Sequence, residues 1–228
     1  MKTTGSGRFA TNAVTNRIAT LGVLIALAAC SAAATPTPAP ECPTEPPTSV
    51  SAQATLEDAA LATVQVSGAV DGEFAFELHG DRAPIATASF VALARCGFYD
   101  GIKFHRVLSG FVVQAGDPQT KAHEGDFPGI GTGGPGYEFE IEPPADGLTY
   151  EPYSVSMAND TRTNGSQFFI ALADLSGGLP PTYTIFGQVT SGTDIVDAIA
   201  AVPVNDPRIG VPLTPVTIDS IVISSGEE

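Results

Sequence analysis

Two stretches alternate apolar and polar positions with the period of a half-buried strand, Ala62 to Ser67 (ATVQVS) and Glu73 to Leu78 (EFAFEL). Ala69-Val70-Asp71-Gly72 between them supplies a turn, so the pattern predicts a pair of strands. From Pro84 to Cys96 (PIATASFVALARC) the period changes. Ile85, Phe90, Val91, Leu93 and Ala94 recur at mostly three-to-four spacing, which predicts a helix opened by Pro84 and stopped by Gly97. Short β-branched and aromatic runs follow at 103–108, 110–114, 153–157, 166–172, 184–189 and 216–224, each the length of a strand. A second helix is expected at Asp194 to Ala201, capped by Thr193. Many short strands with only two helices argue for a closed β-barrel or a sandwich and against a parallel α/β sheet. A small barrel is filled by its own side chains, so a ligand is expected on its outside or at a mouth; the pattern does not say which.

The first sixty residues follow other rules. Lys2, Arg8 and Arg17 precede an uncharged run, Ile18 to Ala29, and no acidic residue appears before Glu41. Twelve apolar or small residues are too few to span about 30 Å of hydrocarbon, so the run reads as a secretory signal. It ends in Leu27-Ala28-Ala29-Cys30, which resembles the lipobox of bacterial lipoproteins, where the Cys becomes the lipidated N-terminus; an ordinary cleavage site before a Cys is the plainer alternative. Ser31 to Val50 contains six prolines and no aromatic residue, the composition of an extended, semi-rigid spacer. The expected organisation is a signal peptide at 1–29, a lipidated Cys30 and spacer at 30–60, and a folded domain at 61–228. Such a protein is exported and lipid-anchored to the outer face of a bacterial cell membrane.

Charge narrows the functional classes. Ten Lys and Arg face 25 Asp and Glu, a formal net charge of -15, and removal of the signal takes three cations and no acid. Nucleic acid is excluded as a partner of the usual electrostatic kind, because phosphate neutralisation needs a basic face. Hydrophobic residues at 43% suffice for one packed core. His79, His105 and His123 are scattered without ligand spacing, so no metal site is expected. With Cys30 lipidated, Cys42 and Cys96 remain. They either pair in an oxidising compartment or leave Cys96 as a lone core residue, and both readings stay open.

Two segments carry a family signature. Phe104 to Asp117 (FHRVLSGFVVQAGD) closely resembles the FHR, GF, Q and GD pattern of cyclophilins, and Ser156 to Asn159 with Asn164 to Ile170 resembles their SMAN and NGSQFFI segments. Gly97 to Gly101 (GFYDG), Gly131 to Gly134 (GTGG) and Phe186 to Val189 (FGQV) follow the same family order, from about residue 62 to 224. The resemblance implies peptidyl-prolyl cis-trans isomerisation on a closed, eight-stranded antiparallel barrel with two capping helices and the proline pocket on its outer surface. It implies no cofactor. The expected partners are proline-containing polypeptide clients, exported proteins in the course of folding, met by a monomer. The alternative is a scaffold or holdase that binds proline segments without turning them over.

The resemblance also assigns the site. Arg106 and Gln114 match the catalytic pair: Arg106 donates to the prolyl nitrogen, while Gln114 binds substrate backbone and orients the arginine. On its own, Arg106 in so acidic a chain reads as a surface ion pair. Phe111, Val112, Phe169 and Leu179 match the lining of the proline pocket, although an apolar strand residue is otherwise ordinary core. Asn159 matches a position that binds extended peptide, and Ala158 and Gln167 match the rim that meets residues before the proline. Tyr183 stands where the eukaryotic members have a pocket histidine. The chain has no Trp to match the one that many of those members carry near Leu179, and the loop between Asn159 and Thr163 is one residue short of the family pattern. His105 belongs to the motif, with a structural role expected.

Three other signals are set aside. Gly129 to Gly134 satisfies G-x-G-x-x-G but neither follows a clear strand nor opens a helix, so it reads as a glycine-rich loop beside the substrate groove. Asn159-Asp160-Thr161 and Asn164-Gly165-Ser166 are formal glycosylation sequons inside the expected site. Glu138, Glu140 and Glu142 read as a solvated face.

Overall fold

The strands expected from the alternation form one antiparallel sheet in a computed structural model of the chain, which describes residues 40–159 and 163–225. β1 (Leu61–Gly68) and β2 (Gly72–Leu78) pair across the predicted turn, where Asp71 accepts from the Gly68 N–H at 3.1 Å. β3 (Arg106–Leu108), β4 (Val112–Ala115), β6 (Ser154–Asn159), β7 (Thr163–Ala171), β8 (Ile185–Ser191) and β9 (Val216–Ser224) complete a path ordered β3-β4-β7-β6-β8-β2-β1-β9. A two-residue strand, β5 (Phe139–Glu140), pairs with β7 off that path.

The sheet curls but does not close as the expected eight-stranded barrel. Its path ends at β3 and β9, which do not pair as strands. The seam is met by the backbone just before β3: Lys103 bridges Thr217, the Gly101 N–H donates to Ile218 O at 2.8 Å, and the Phe104 N–H donates to Val216 O at 2.9 Å. Beyond Phe104 the chain leaves β9, and the Val107 N–H donates to Gly210 O at 2.7 Å.

Three α-helices accompany the sheet where two were expected. α1 (Ser49–Leu56) lies within the stretch read as spacer; its Thr48 cap and Ser51 bond each other's backbone N–H, and Ala52 is buried. A disulfide between Cys42 and Cys96 settles the cysteine question and ties this N-terminal stretch to the end of α2 (Pro84–Arg95). α3 (Thr193–Ala200) is entered through Gly192 in the left-handed conformation, so Thr193 is its first residue and not its cap. The expected signal peptide, Cys30 and the expected spacer up to residue 39 lie outside the described residues, as do residues 160–162 of the shortened loop.

α2 begins at Pro84, as the rule for a first-turn proline predicts, but Ala83 before it offers no side-chain cap. Glu142 supplies one from 56 residues away, accepting from the Ile85 N–H at 3.0 Å and the Ala86 N–H at 2.8 Å. This corrects the reading of the acidic run: Glu138 and Glu140 are exposed, whereas Glu142 satisfies donors that a helix start leaves open.

α2 also fills the curl. The Phe90 ring lies 5.4 Å from Phe76, 5.1 Å from Phe186, 5.7 Å from Phe168 and 5.1 Å from Tyr99, and all five side chains are fully buried. Such ring contacts add to the area that aromatic side chains bury. On the far side, Gly116 (φ 98°) lets the end of β4 run flush against β7, since a Cβ there would stand 2.4 Å from Ser166 O. Phe90→Ala removes the shared centre of the cluster. It is expected to lower the unfolding free energy by about 3–5 kcal/mol in chemical denaturation of the full chain.

Candidate active site

Strands β3, β4 and β7 lie side by side, and their inward residues Val107, Val113, Ala115, Phe168 and Ile170 belong to the core. Period-two alternation turns the intervening residues outward. Arg106 pairs with Gln114 across β3 and β4, and Gln114 pairs with Phe169 across β4 and β7, which sets the three in one row. Val112 and Phe169 are buried, at 2% and 5% exposure, yet stand apart from the core cluster. They form the apolar floor of a site on the outer face.

Arg106 holds its guanidinium by two contacts. Its Nη1 donates to Gln114 Oε1 at 3.3 Å, and its Cζ stands 5.9 Å from the centre of the Phe111 ring. Among the described residues the ion pairs are Arg82 with Asp81 and Arg208 with Asp206, so Arg106 is not the surface ion pair that composition alone suggested. Gln114 Nε2 in turn donates to Gln167 Oε1 at 3.0 Å.

The opposite wall is aromatic. Tyr183 meets Phe169 edge to face at 5.4 Å, and Tyr150, which the sequence did not single out, holds Tyr183 in place. The Tyr150 hydroxyl lies 3.0 Å from the carbonyls of both Pro180 and Tyr183 and accepts from the Tyr183 N–H at 3.2 Å. Burial raises the Tyr150 pKa, so the hydroxyl stays protonated and able to donate. Leu179 sits partly exposed on the turn before Pro180, its N–H donating to Leu175 O at 2.9 Å. Asn159 donates from its side chain to Thr182 O at 2.8 Å, bracing the segment that carries Tyr183.

A groove of about 790 Å³ continues from this row, lined among others by Gln114, Ala158, Asn159, Gln167 and the glycines from Gly131 to Gly136. The glycine-rich loop thus borders a cleft, as expected, and the groove gives an extended chain room beside the apolar floor. Asn164, half of a formal sequon, is fully buried and donates to Thr184 Oγ1 at 3.0 Å, which leaves it no room for a glycan. Among the described residues no group of His, Cys, Asp and Glu could hold a metal ion.

His105 precedes Arg106 but turns into the protein. Burial lowers its pKa from the ordinary 6.5 to about 4, with Asp117 opposing the shift and Arg106 adding to it. The ring is therefore neutral at pH 7. It suits a packing role.

The cyclophilin motifs quoted above lie within a longer match. The family model for "Cyclophilin type peptidyl-prolyl cis-trans isomerase/CLD" matches residues 61–223. A peptidyl-prolyl cis-trans isomerase B of Streptomyces anulatus is 47% identical over 131 residues, covering 56% of this chain and 68% of the relative. A Helicobacter pylori peptidyl-prolyl cis-trans isomerase is 40% identical over 147 residues, 63% of this chain and 82% of the relative. Among solved structures, a Cryptosporidium parvum cyclophilin type isomerase crystallised in the presence of the dipeptide Ala-Pro aligns with a TM-score of 0.62 and 31% identity, covering 73% of this chain and 99% of that one.

The His105 environment yields a measurable pH effect. Between pH 6.5 and about 4 the unfolded chain takes up a proton that the folded ring refuses, so stability falls as pH falls through that window. The unfolding free energy of the wild type relative to His105→Asn is expected to drop by up to about 3 kcal/mol from pH 7 to pH 4. A constant difference across those pH values would contradict the assignment.

Proposed function

The chain belongs to the cyclophilin family and is a peptidyl-prolyl cis-trans isomerase, and we propose that it works through Arg106 on proline-containing polypeptides outside the cytoplasmic membrane. The observation that carries the site assignment is the outward row of Arg106, Gln114 and Phe169, with Arg106 bonded to an amide and not to a carboxylate.

Rotation about an X-Pro bond faces a barrier of roughly 18–20 kcal/mol because amide resonance is lost at the twisted geometry. No covalent bond breaks, so the step needs no nucleophile. At the twist the nitrogen lone pair localises and becomes a hydrogen-bond acceptor. A donor aimed at that nitrogen stabilises the transition state more than either ground state, which is the condition for acceleration. Arg106 is permanently charged and carries five N–H donors in a rigid fork, one of which is committed to Gln114. Phe111, Val112, Phe169, Leu179 and Tyr183 enclose the proline ring, while Ala158, Asn159 and the groove receive the residues before it. The ring stays held while the preceding carbonyl turns.

The Cys42–Cys96 disulfide supports an oxidising location, since cytoplasmic thiols are kept reduced. Together with the Leu27 to Cys30 sequence and the proline-rich stretch after it, this favours a lipid-anchored enzyme that serves exported chains during folding. The multiple acyl chains of such an anchor give stable attachment, where one chain alone is marginal.

Arg106→Ala is expected to lower kcat/KM for X-Pro peptides by about 100-fold or more while the thermal midpoint stays close to wild type. Wild-type turnover by that variant sinks the proposed mechanism. Separately, Cys30→Ala is expected to move the protein from the membrane fraction to the soluble fraction. Continued membrane attachment would rule out the anchor.

A further inference from the structure

Gln167, matched by motif to the rim of the substrate groove, has its donors committed elsewhere. Its Nε2 donates to Gly131 O at 2.9 Å and to Gly133 O at 2.8 Å. A carboxamide nitrogen has two N–H groups, and both are spent on the glycine loop. We propose that Gln167 and Asp117 are positioning residues, which together fix the direction in which Gln114 presents its amide to Arg106. The proposal rests on the reading of Arg106 as the catalytic donor.

The direction follows from what each group can do. Backbone carbonyls only accept, so Gln167 must turn its nitrogen toward the loop and its oxygen toward Gln114. Gln114 must then turn its nitrogen toward Gln167, where it donates at 3.0 Å. That leaves Gln114 Oε1 facing Arg106, whose Nη1 donates to it at 3.3 Å. Reversing either amide sets a donor against a donor or an acceptor against an acceptor. Gln167 is only 8% exposed, so water is poorly placed to relieve such a mismatch. Two loop carbonyls thereby decide the orientation of a side chain two residues along the relay.

Asp117 holds those carbonyls in place. Its side chain is fully buried, with Oδ2 accepting from the Gly131 N–H at 2.7 Å and Oδ1 accepting from the Gln119 N–H at 2.9 Å. Gln119 adds a bond from Nε2 to Thr132 Oγ1 at 3.2 Å. The loop packs so closely on this carboxylate that a Cβ on Gly133 would lie 2.0 Å from Asp117 Oδ1, a distance only glycine avoids. The loop is therefore fixed through its backbone, and its carbonyl positions pass through Gln167 and Gln114 to the guanidinium.

The test measures kcat and KM separately for the full chain, with peptides that differ in the residue before proline. Gln167→Glu keeps the shape of the side chain but offers only acceptors to the two carbonyls. It is expected to lower kcat about tenfold, by the same factor for every peptide, and to leave KM within about twofold. Asp117→Asn, which sets an N–H against one of two backbone donors, is expected to show the same uniform loss of kcat. On an Arg106→Ala background, Gln167→Glu is expected to cause no further loss, because the relay has nothing left to orient. A loss confined to KM, a loss that varies with the residue before proline, or an additive loss on that background would overturn the proposal and return Gln167 to the rim. If Arg106→Ala is itself fully active, the catalytic reading fails; if it is inactive and Gln167→Glu retains wild-type kcat, the relay alone fails. Gln167→Met, apolar and close in volume, replaces the glutamate variant if that one does not fold.

Discussion

A sheet whose two end strands do not pair stays curled only if something fills the inside of the curl, and here that is Phe90 of α2. It touches rings from β2, β7 and β8 and from the turn after α2, so one side chain links strands up to three places apart in the sheet order. The helix that carries it is held at its start by Glu142, whose own N–H donates to Thr184 Oγ1 at 3.0 Å. Thr184 also accepts from Asn164 and directly follows Tyr183 of the pocket wall. Filling the curl and placing the site are thus coupled. The inward residues of β3, β4 and β7 meet the core, and alternation leaves the outward ones as a surface already stiff enough to present a donor.

This coupling explains what was legible in the residues. Alternation and three-to-four spacing are local, so β1, β2, α2 and most strand positions could be read without knowing their neighbours. The outward row of Arg106, Gln114 and Phe169 needs β3, β4 and β7 to be adjacent, and periodicity carries no information on sheet order. The family motif filled that gap. It could do so because it spans all three strands.

What escaped was non-local or made by the backbone. The seam stays open where the chain beyond Phe104 turns to a loop, the Val107 N–H donating to Gly210 O, a contact that no pattern displays. The cap on α2 comes from Glu142, beyond the reach of any rule about the residues next to a helix start. Asp117 was visible as the last letter of a motif but had no role, since an Asp is taken for a surface residue unless its burial is known. Its partners are N–H groups, and the acceptors it positions are carbonyls of glycines, which have no side chains to form a pattern. Gln167 was found by position, and its bonds to those glycine carbonyls were hidden for the same reason.

The chain's acidity gives the amide relay its physical point. With 25 acidic residues against ten cations, a carboxylate partner for Arg106 was the default expectation. Such a partner would orient the guanidinium equally well, but it would also offset much of the charge at short range. Gln114 and Gln167 orient it with neutral dipoles and end on backbone carbonyls, while the Phe111 ring shields one side. Arg106 thus keeps its field for the lone pair that appears on the prolyl nitrogen only at the twisted geometry. Neutral partners next to the guanidinium suit differential stabilisation of that geometry.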